Sequence, residues 1–323
     1  MGTARELVID KPGTYLGVRR GLFVVRGSDG SRAEFSPAEL FHISIRSRGV
    51  GISVDALKLA CRFGIEITVY EKGRPLTKVV HAVKGGGVVT RQAQIEATRN
   101  EKGLSIARAI VAAKLHNQRA VLLQRAKLLR AKASKLSDEL LVFADNLAKA
   151  MDSLRQADNL DSVRAYEAIG ANNYWKGVAL MLPSELSFPG RRAWSPQDPF
   201  NKALNLGYGV LRSRVWSAVM TANLDPYVGF LHLPRGRHMC LVSDLMEEFR
   251  PCVVDKPLIA LGLEDPKVFL EDAKLERTVV TTVTQTLVRD GCLLERAILN
   301  QARKLASFLR GEIDVYEGFK MRW

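Results

Sequence analysis

Three polar features in the second half of the chain have residue types and spacings that suit metal-assisted chemistry. Glu167 falls in Arg164-Ala165-Tyr166-Glu167-Ala168-Ile169-Gly170-Ala171-Asn172-Asn173-Tyr174-Trp175, among small and aromatic neighbours. His232 ends Asn223-Leu224-Asp225-Pro226-Tyr227-Val228-Gly229-Phe230-Leu231-His232, a breaker-rich turn that would deliver an imidazole from a constrained loop. The segment Asp244-Leu245-Met246-Glu247-Glu248-Phe249-Arg250-Pro251 carries acids at spacings of three and four, which share one helix face. Together they offer Glu, His and Glu or Asp, a mixed oxygen and nitrogen donor set suited to Mn²⁺ or Mg²⁺. Each also has a bland structural reading. Glu167 could pair with Arg164 one turn earlier, His232 could be a satisfied structural histidine, and the acids could form a wet helix face. Convergence of the three is not written in the sequence.

The charge of the chain bears on what such a site would act upon. Its 323 residues include 48 Lys and Arg against 34 Asp and Glu, a formal net charge of +14. Twelve of the basic residues and only two acids, Glu96 and Glu101, lie between 84 and 135, beginning with Lys84 and Arg91. A run so one-sided is better explained by phosphate contacts than by a solvated face, which generally mixes signs. The expectation is that an apolar seam through Ile106, Ile110, Val121, Leu122, Leu128 and Leu129 turns inward while the positive charges line the other face. No uninterrupted apolar stretch is long enough to span a membrane, and the start of the chain lacks the apolar core of a secretion signal. The four cysteines form no CxxC pair, so neither a disulfide framework nor a zinc ribbon is indicated. A cytoplasmic protein with a polyanionic partner is expected, nucleic acid rather than membrane.

The elements that must position these groups fall into two regions. Up to Tyr70 the pattern is short and β-like: Leu7–Ile9, Tyr15–Val18, Leu22–Val25, Phe41–Ile45 and Ile65–Tyr70, punctuated by Gly13, Gly21, Gly30 and Pro37. One helical insert is expected at Val54–Phe63, with Leu57, Ala60 and Cys61 on a common face. Gly85-Gly86-Gly87 then reads as a joint, since three glycines lose too much backbone entropy to continue a strand or helix. Everything beyond reads as helix, with the region before Leu129 and the region after Val279 each expected as two helices. The reading is therefore an α+β multi-domain chain. It has a small β-rich, β-sandwich-like domain at 1–80, a short glycine-containing linker at 81–94 and an all-α domain at 95–323.

The ordered motifs resemble the CRISPR-associated adaptation endonuclease and integrase family, the universal spacer-acquisition protein of CRISPR systems. They are Lys114-Leu115-His116-Asn117-Gln118, the Glu167 helix with Tyr174-Trp175, Arg191-Arg192, Asp198-Pro199-Phe200-Asn201, Leu204-Asn205-Leu206-Gly207-Tyr208, and the His232 and Asp244 segments above. The resemblance covers nearly the whole chain and implies the same division into a small β domain and a helical catalytic domain. It implies a divalent metal, Mg²⁺ or Mn²⁺, held by Glu167, His232 and Glu247, with Asp244 in support. Many relatives have Asp where Glu247 stands. Glu248 competes for the third position; motif position favours Glu247, whereas helical geometry would allow either.

The implied activity is DNA cleavage and strand transfer, in which a DNA 3′-hydroxyl attacks a phosphodiester of the repeat array. The implied partners are double-stranded DNA (protospacer and repeat), a second copy of the chain as a homodimer, and a small ferredoxin-like adaptation protein. Tyr174, with Tyr166 and Trp175, could stack on a displaced base, and Arg191, Arg192, Arg235 and Arg237 flank the expected site as phosphate clamps. Two other readings remain: a non-catalytic basic nucleic-acid scaffold, which would need no Glu/His/Glu set, and a repair nuclease without integration, which would share it.

Overall fold

The computed structural model describes residues 5–63, 65–71, 74–79, 87–130, 134–233, 236 and 238–321. The chain divides into two compact units, Met1–Gly85 and Gly86–Trp323.

The first unit is built from strands β1 (Arg5–Ile9), β2 (Tyr15–Arg19), β3 (Leu22–Arg26), β4 (Arg32–Phe35), β5 (Leu40–Ile45) and β6 (Gly51–Ile52). Helix α1 (Val54–Phe63), β7 (Glu66–Glu71) and β8 (Arg74–Val79) complete it. Two four-stranded sheets have the orders β1-β5-β7-β8 and β4-β3-β2-β6. Their inner faces, with Leu16, Phe23, Ile43 and Ile67, close on Ala56, Leu59 and Ala60 of α1 to form one core. The buried face of α1 is thus rotated from the one expected, since Leu57 and Cys61 are only partly covered. Strand β5 lies between two parallel neighbours and is covered on both faces, which explains how His42 and Ser44 come to be buried. His42 Nε2 is 2.8 Å from Thr68 Oγ1 on the adjacent strand. Strands β4, β6 and β8 were not expected. All three are edge strands, and β4 carries charged, exposed positions that leave no apolar alternation to read.

The second unit contains α2 (Gly87–Ala97), α3 (Glu101–Arg130), α4 (Lys135–Leu154), α5 (Leu160–Met181), α6 (Pro199–Thr221) and α7 (Cys240–Arg250). It continues through α8 (Lys256–Glu264), α9 (Lys267–Leu270) and α10 (Asp272–Leu309). Helix α2 occupies residues 87–94 of the stretch expected as linker, and Lys84 lies outside the described residues. Helix starts follow capping chemistry: Asn159 accepts from Ser162 N–H at 2.8 Å before α5, and Asp198 accepts from Asn201 N–H at 2.8 Å with Pro199 opening α6.

Helix α3 is one element of 30 residues, not two, and much of it is covered. Lys114, Asn117 and Gln118, which look like surface residues in one dimension, are buried, so the positive run does not form a single solvent face, and Leu128 points outward instead. Helix α10 is likewise continuous and passes through Gly291. A helical glycine costs only about 1 kcal/mol relative to alanine, too little to end a helix packed along its length. Among the described residues no helix is long and apolar enough to cross a membrane.

Two features of this bundle place the later site. A Cβ at Gly170 of α5 would overlap the Leu115 side chain of α3, and one at Gly177 would come within 2.9 Å of Leu122 Cδ2. The absence of side chains there lets α5 approach α3 closely, one turn from Glu167. At its other end α7 runs into a π-helical segment, Pro251–Asp255, begun by a proline that lacks the N–H an α-helix needs. This segment turns Asp255 into the core, where its carboxylate accepts from Tyr208 Oη at 2.6 Å and from Tyr174 Oη at 3.1 Å. Burial pushes the Asp255 carboxyl up to about 6, against the two phenol donors, which favour the charged form.

Because the folded protein resists ionising Asp255 while the unfolded chain does not, stability is lost as pH rises from about 4 to about 6 and is level above. Asp255→Asn, which keeps an acceptor and cannot titrate, should gain on the wild type across that window by on the order of 3 kcal/mol, the equivalent of about two pKa units. Urea melts at several pH values measure this; a difference that does not change with pH overturns it.

Candidate active site

Glu167 on α5, His232 in the loop before α7 and Glu247 on α7 line one cleft of about 790 Å³, together with Arg164, Leu231 and His238. The structure therefore brings together the three residues that the sequence left unconnected.

His232 is held by Asp244, which is 0 % exposed. Asp244 Oδ2 accepts from the N–H groups of Phe230 at 2.6 Å and Leu231 at 3.0 Å, and Oδ1 accepts from His232 N–H at 3.0 Å. His232 Nδ1 lies 2.5 Å from the same Oδ1. A carboxylate that already takes three backbone donors acts as the acceptor, so Nδ1 carries the proton and Nε2 keeps its lone pair. Burial alone would lower the imidazole pKa, but the Asp244 hydrogen bond and charge outweigh it and leave the value raised. The loop closes this tightly only because residue 229 is glycine: a Cβ there would sit 2.7 Å from both Asp244 Oδ2 and Cys240 Cβ.

Glu247 is almost fully buried yet charged. Desolvation would raise its pKa, but the Arg250 guanidinium, with a nitrogen 3.1 Å from Oε1, and the Lys114 ammonium hold it at about 2. Lys114 Nζ sits 2.6 Å from Glu247 Oε2 and also contacts Glu167 Oε1. Each Glu247 oxygen thus faces one cation, Oε1 the Arg250 guanidinium and Oε2 the Lys114 ammonium. Glu167 does not pair with Arg164, whose guanidinium donates to Leu231 O at 2.7 and 2.9 Å and meets Asp161 at 3.3 Å. In that position Arg164 fastens the histidine loop to α5.

The donor set fits a hard divalent ion: two carboxylates, one imidazole with a free Nε2, and a carboxylate behind the histidine. Among the described residues no three His, Cys, Asp or Glu side chains are drawn into metal-holding geometry. Glu167 and Glu247 are closed around an ammonium instead.

Several expectations need correction. Glu248 does not compete with Glu247, because one residue along a helix is about 100° around it. Its carboxylate accepts from Tyr316 Oη at 2.6 Å and from Phe319 N–H at 2.7 Å, so it clamps the C-terminal segment and faces away from the cleft. Burial raises its pKa to about 7 against those two donors. Tyr174 offers no face to a base: it is fully buried, with its hydroxyl on Asp255. Arg191 is committed to Asn201 Oδ1 at 2.9 Å and Asn205 Oδ1 at 2.7 Å and packs on the Tyr208 ring, so it shapes a loop and is not free to clamp phosphate. Arg192 and Arg91 are exposed, while Arg235 and Arg237 lie outside the described residues.

Residues not singled out from the sequence also matter here. Arg250 bridges Glu247 and the face of Tyr208, a role its three-residue spacing from Glu247 could have signalled. Trp194, 92 % exposed on the Arg192 loop, presents the aromatic surface that Tyr174 does not.

Asp244→Ala would leave three backbone donors and the His232 ring without their acceptor. At about 1–3 kcal/mol for each unsatisfied buried donor, the loss should be at least 3 kcal/mol. Chemical denaturation of the full chain measures it, and a change below about 1 kcal/mol would show that water replaces the carboxylate.

The sequence profile described as CRISPR associated protein Cas1 matches residues 7–266. The CRISPR-associated endonuclease Cas1 1 of Saccharolobus solfataricus is 37% identical over 254 residues, 78% of this chain and 69% of that protein. Among solved structures, a casposase bound to an integration product superposes with a TM-score of 0.74 at 20% identity, over 97% of this chain and 92% of that one. A Cas6-RT-Cas1–Cas2 complex gives 0.73 at 21% identity, over 100% of this chain and 37% of that one. At such identities the structural likeness speaks for the fold, while the profile and the sequence relative speak for descent: the chain belongs to the Cas1 family of CRISPR-associated proteins.

Proposed function

We propose that the protein is a cytoplasmic, divalent-metal-dependent DNA endonuclease and integrase that inserts spacer DNA into a CRISPR repeat array. The observation that carries this reading is the meeting of Glu167, His232 and Glu247 in one cleft, with Asp244 presenting the histidine. A Mg²⁺ or Mn²⁺ ion held by these three would supply charge to the scissile phosphate and acidify an attacking water or DNA 3′-hydroxyl. The chain's own residues do the rest. Asp244 keeps His232 in the tautomer with a free Nε2, Arg164 keeps the loop against α5, and Arg250 keeps Glu247 ionised despite burial. Hydrolysis and strand transfer place the same charge on the same phosphate, so one site serves both.

The surplus of +14 supports a DNA partner. Arg91 and Arg192 are exposed guanidiniums for its backbone, and Trp194 is a stacking surface for an unpaired end. The relative named as part of a complex with Cas2 supports a small Cas2-type partner, and we infer a homodimer as the assembly that would bring two such sites to the two ends of a spacer.

A strand-transfer assay with Mn²⁺ or Mg²⁺, using DNA with a free 3′-hydroxyl and a repeat-bearing plasmid, tests the site. Glu167→Ala, His232→Ala and Glu247→Ala should each lose at least about 100-fold, as expected when a transition-state charge worth several kcal/mol is removed. Full activity in any of them would refute the assignment of that residue.

A further inference from the structure

Resting on the metal-site reading above, we infer that Lys114 is a built-in placeholder for the metal: its ammonium fills the cation position between Glu167 and Glu247 and must leave when a divalent ion enters. The Lys114 side chain is only 9 % exposed, and its Nζ touches both carboxylates that are candidate ligands. It extends from the middle of α3, where Ala113 and Leu115 are fully buried. The backbone is therefore fixed by the core, and the four methylenes are the part that can move.

Charge balance says which cation gives way. Glu167 and Glu247 together carry two negative charges, and Lys114 and Arg250 together carry two positive ones. A divalent ion would leave this buried cluster with two uncompensated positive charges, which a low-dielectric site does not tolerate without loss. Arg250 is held in place: its guanidinium packs 4.8 Å from the centre of the Tyr208 ring, and Tyr208 is in turn bonded to Asp255. Among the described residues Lys114 meets two acceptors, Glu167 and Glu247, and the open cleft of about 790 Å³ lies beside both. Displaced into that cleft, the ammonium meets the region where a DNA phosphate is expected, so the charge that neutralises the two carboxylates would serve the substrate once a metal takes its place. Metal affinity is then the outcome of a competition written into the chain.

The test uses the full chain and Mn²⁺ alone, without DNA. Free Mn²⁺ is followed by electron paramagnetic resonance, and thermal unfolding is followed in the presence and absence of the ion. Lys114→Met should melt below the wild type without metal, recover with Mn²⁺, and half-saturate at a Mn²⁺ concentration lower by about tenfold or more. Lys114→Arg, which keeps a cation of greater reach and two-pronged binding, should fold and should weaken Mn²⁺ binding. It keeps the proposal testable if the methionine variant is unstable. Mn²⁺ binding that is equal or weaker in Lys114→Met, yet abolished by Glu167→Ala, overturns the placeholder role and leaves the metal site standing. No Mn²⁺ binding by any form overturns both.

Discussion

A carboxylate with no access to solvent sets the geometry of the cleft lined by Glu167, His232 and Glu247. Asp244 accepts three consecutive backbone N–H groups, from Phe230, Leu231 and His232, and the His232 ring as well. A buried anion is costly, and these charge-assisted bonds offset the cost while converting an irregular loop into a fixed mount. Everything about the histidine follows from this one acceptor: its tautomer, its direction and its distance from α7. Gly229 belongs to the same device, since any side chain there would meet Asp244.

Around that mount the chain manages a dense set of buried charges by giving each acid its own company. Glu247 faces two cations and stays ionised, whereas its neighbour Glu248 faces Tyr316 and the Phe319 amide and is pushed toward neutrality. Asp255, also buried, takes two phenols, with Arg250 and Arg191 against the Tyr208 ring. Three buried acids within a dozen residues thus do three different things: hold a cation, anchor the C-terminal segment, and tie α5 to α6. The anchor is extended by Asn117 of α3, which donates to Glu248 O at 2.8 Å and to Phe319 O at 2.9 Å. Helices α3 and α7 are thereby laced together behind the site, so the Lys114-Leu115-His116-Asn117-Gln118 motif serves the front of the cleft with its lysine and the back with its asparagine.

Much of this was legible beforehand where a signal is local. Short apolar runs bounded by glycine and proline located the inner strands, and the helix at Val54–Phe63 was readable to its ends. Where burial comes from distant neighbours, local patterns misled. Helix α3 looked like a broken, cationic surface helix because Asn117 and Gln118 have no apolar character, yet both are buried, Asn117 against the C-terminal segment and α7. Strand β4 escaped notice because exposure on both faces leaves it no apolar alternation to read. Tyr174 and Arg191 looked available to DNA because their partners, Asp255 and two asparagines, are remote in sequence or lie across a loop.

The sequence by itself determined the residue types of the site, the order of its motifs and the family they point to, because these are properties of spacing along one chain. Tertiary structure alone decided convergence. It turned Glu247 into the cleft and Glu248 away from it, set Asp244 behind His232, and put Lys114 between two carboxylates that are 80 positions apart in the chain. The physical reason is that electrostatic roles are set by what lies within about 4 Å in a medium of low polarity, and folding alone determines which side chains come that close.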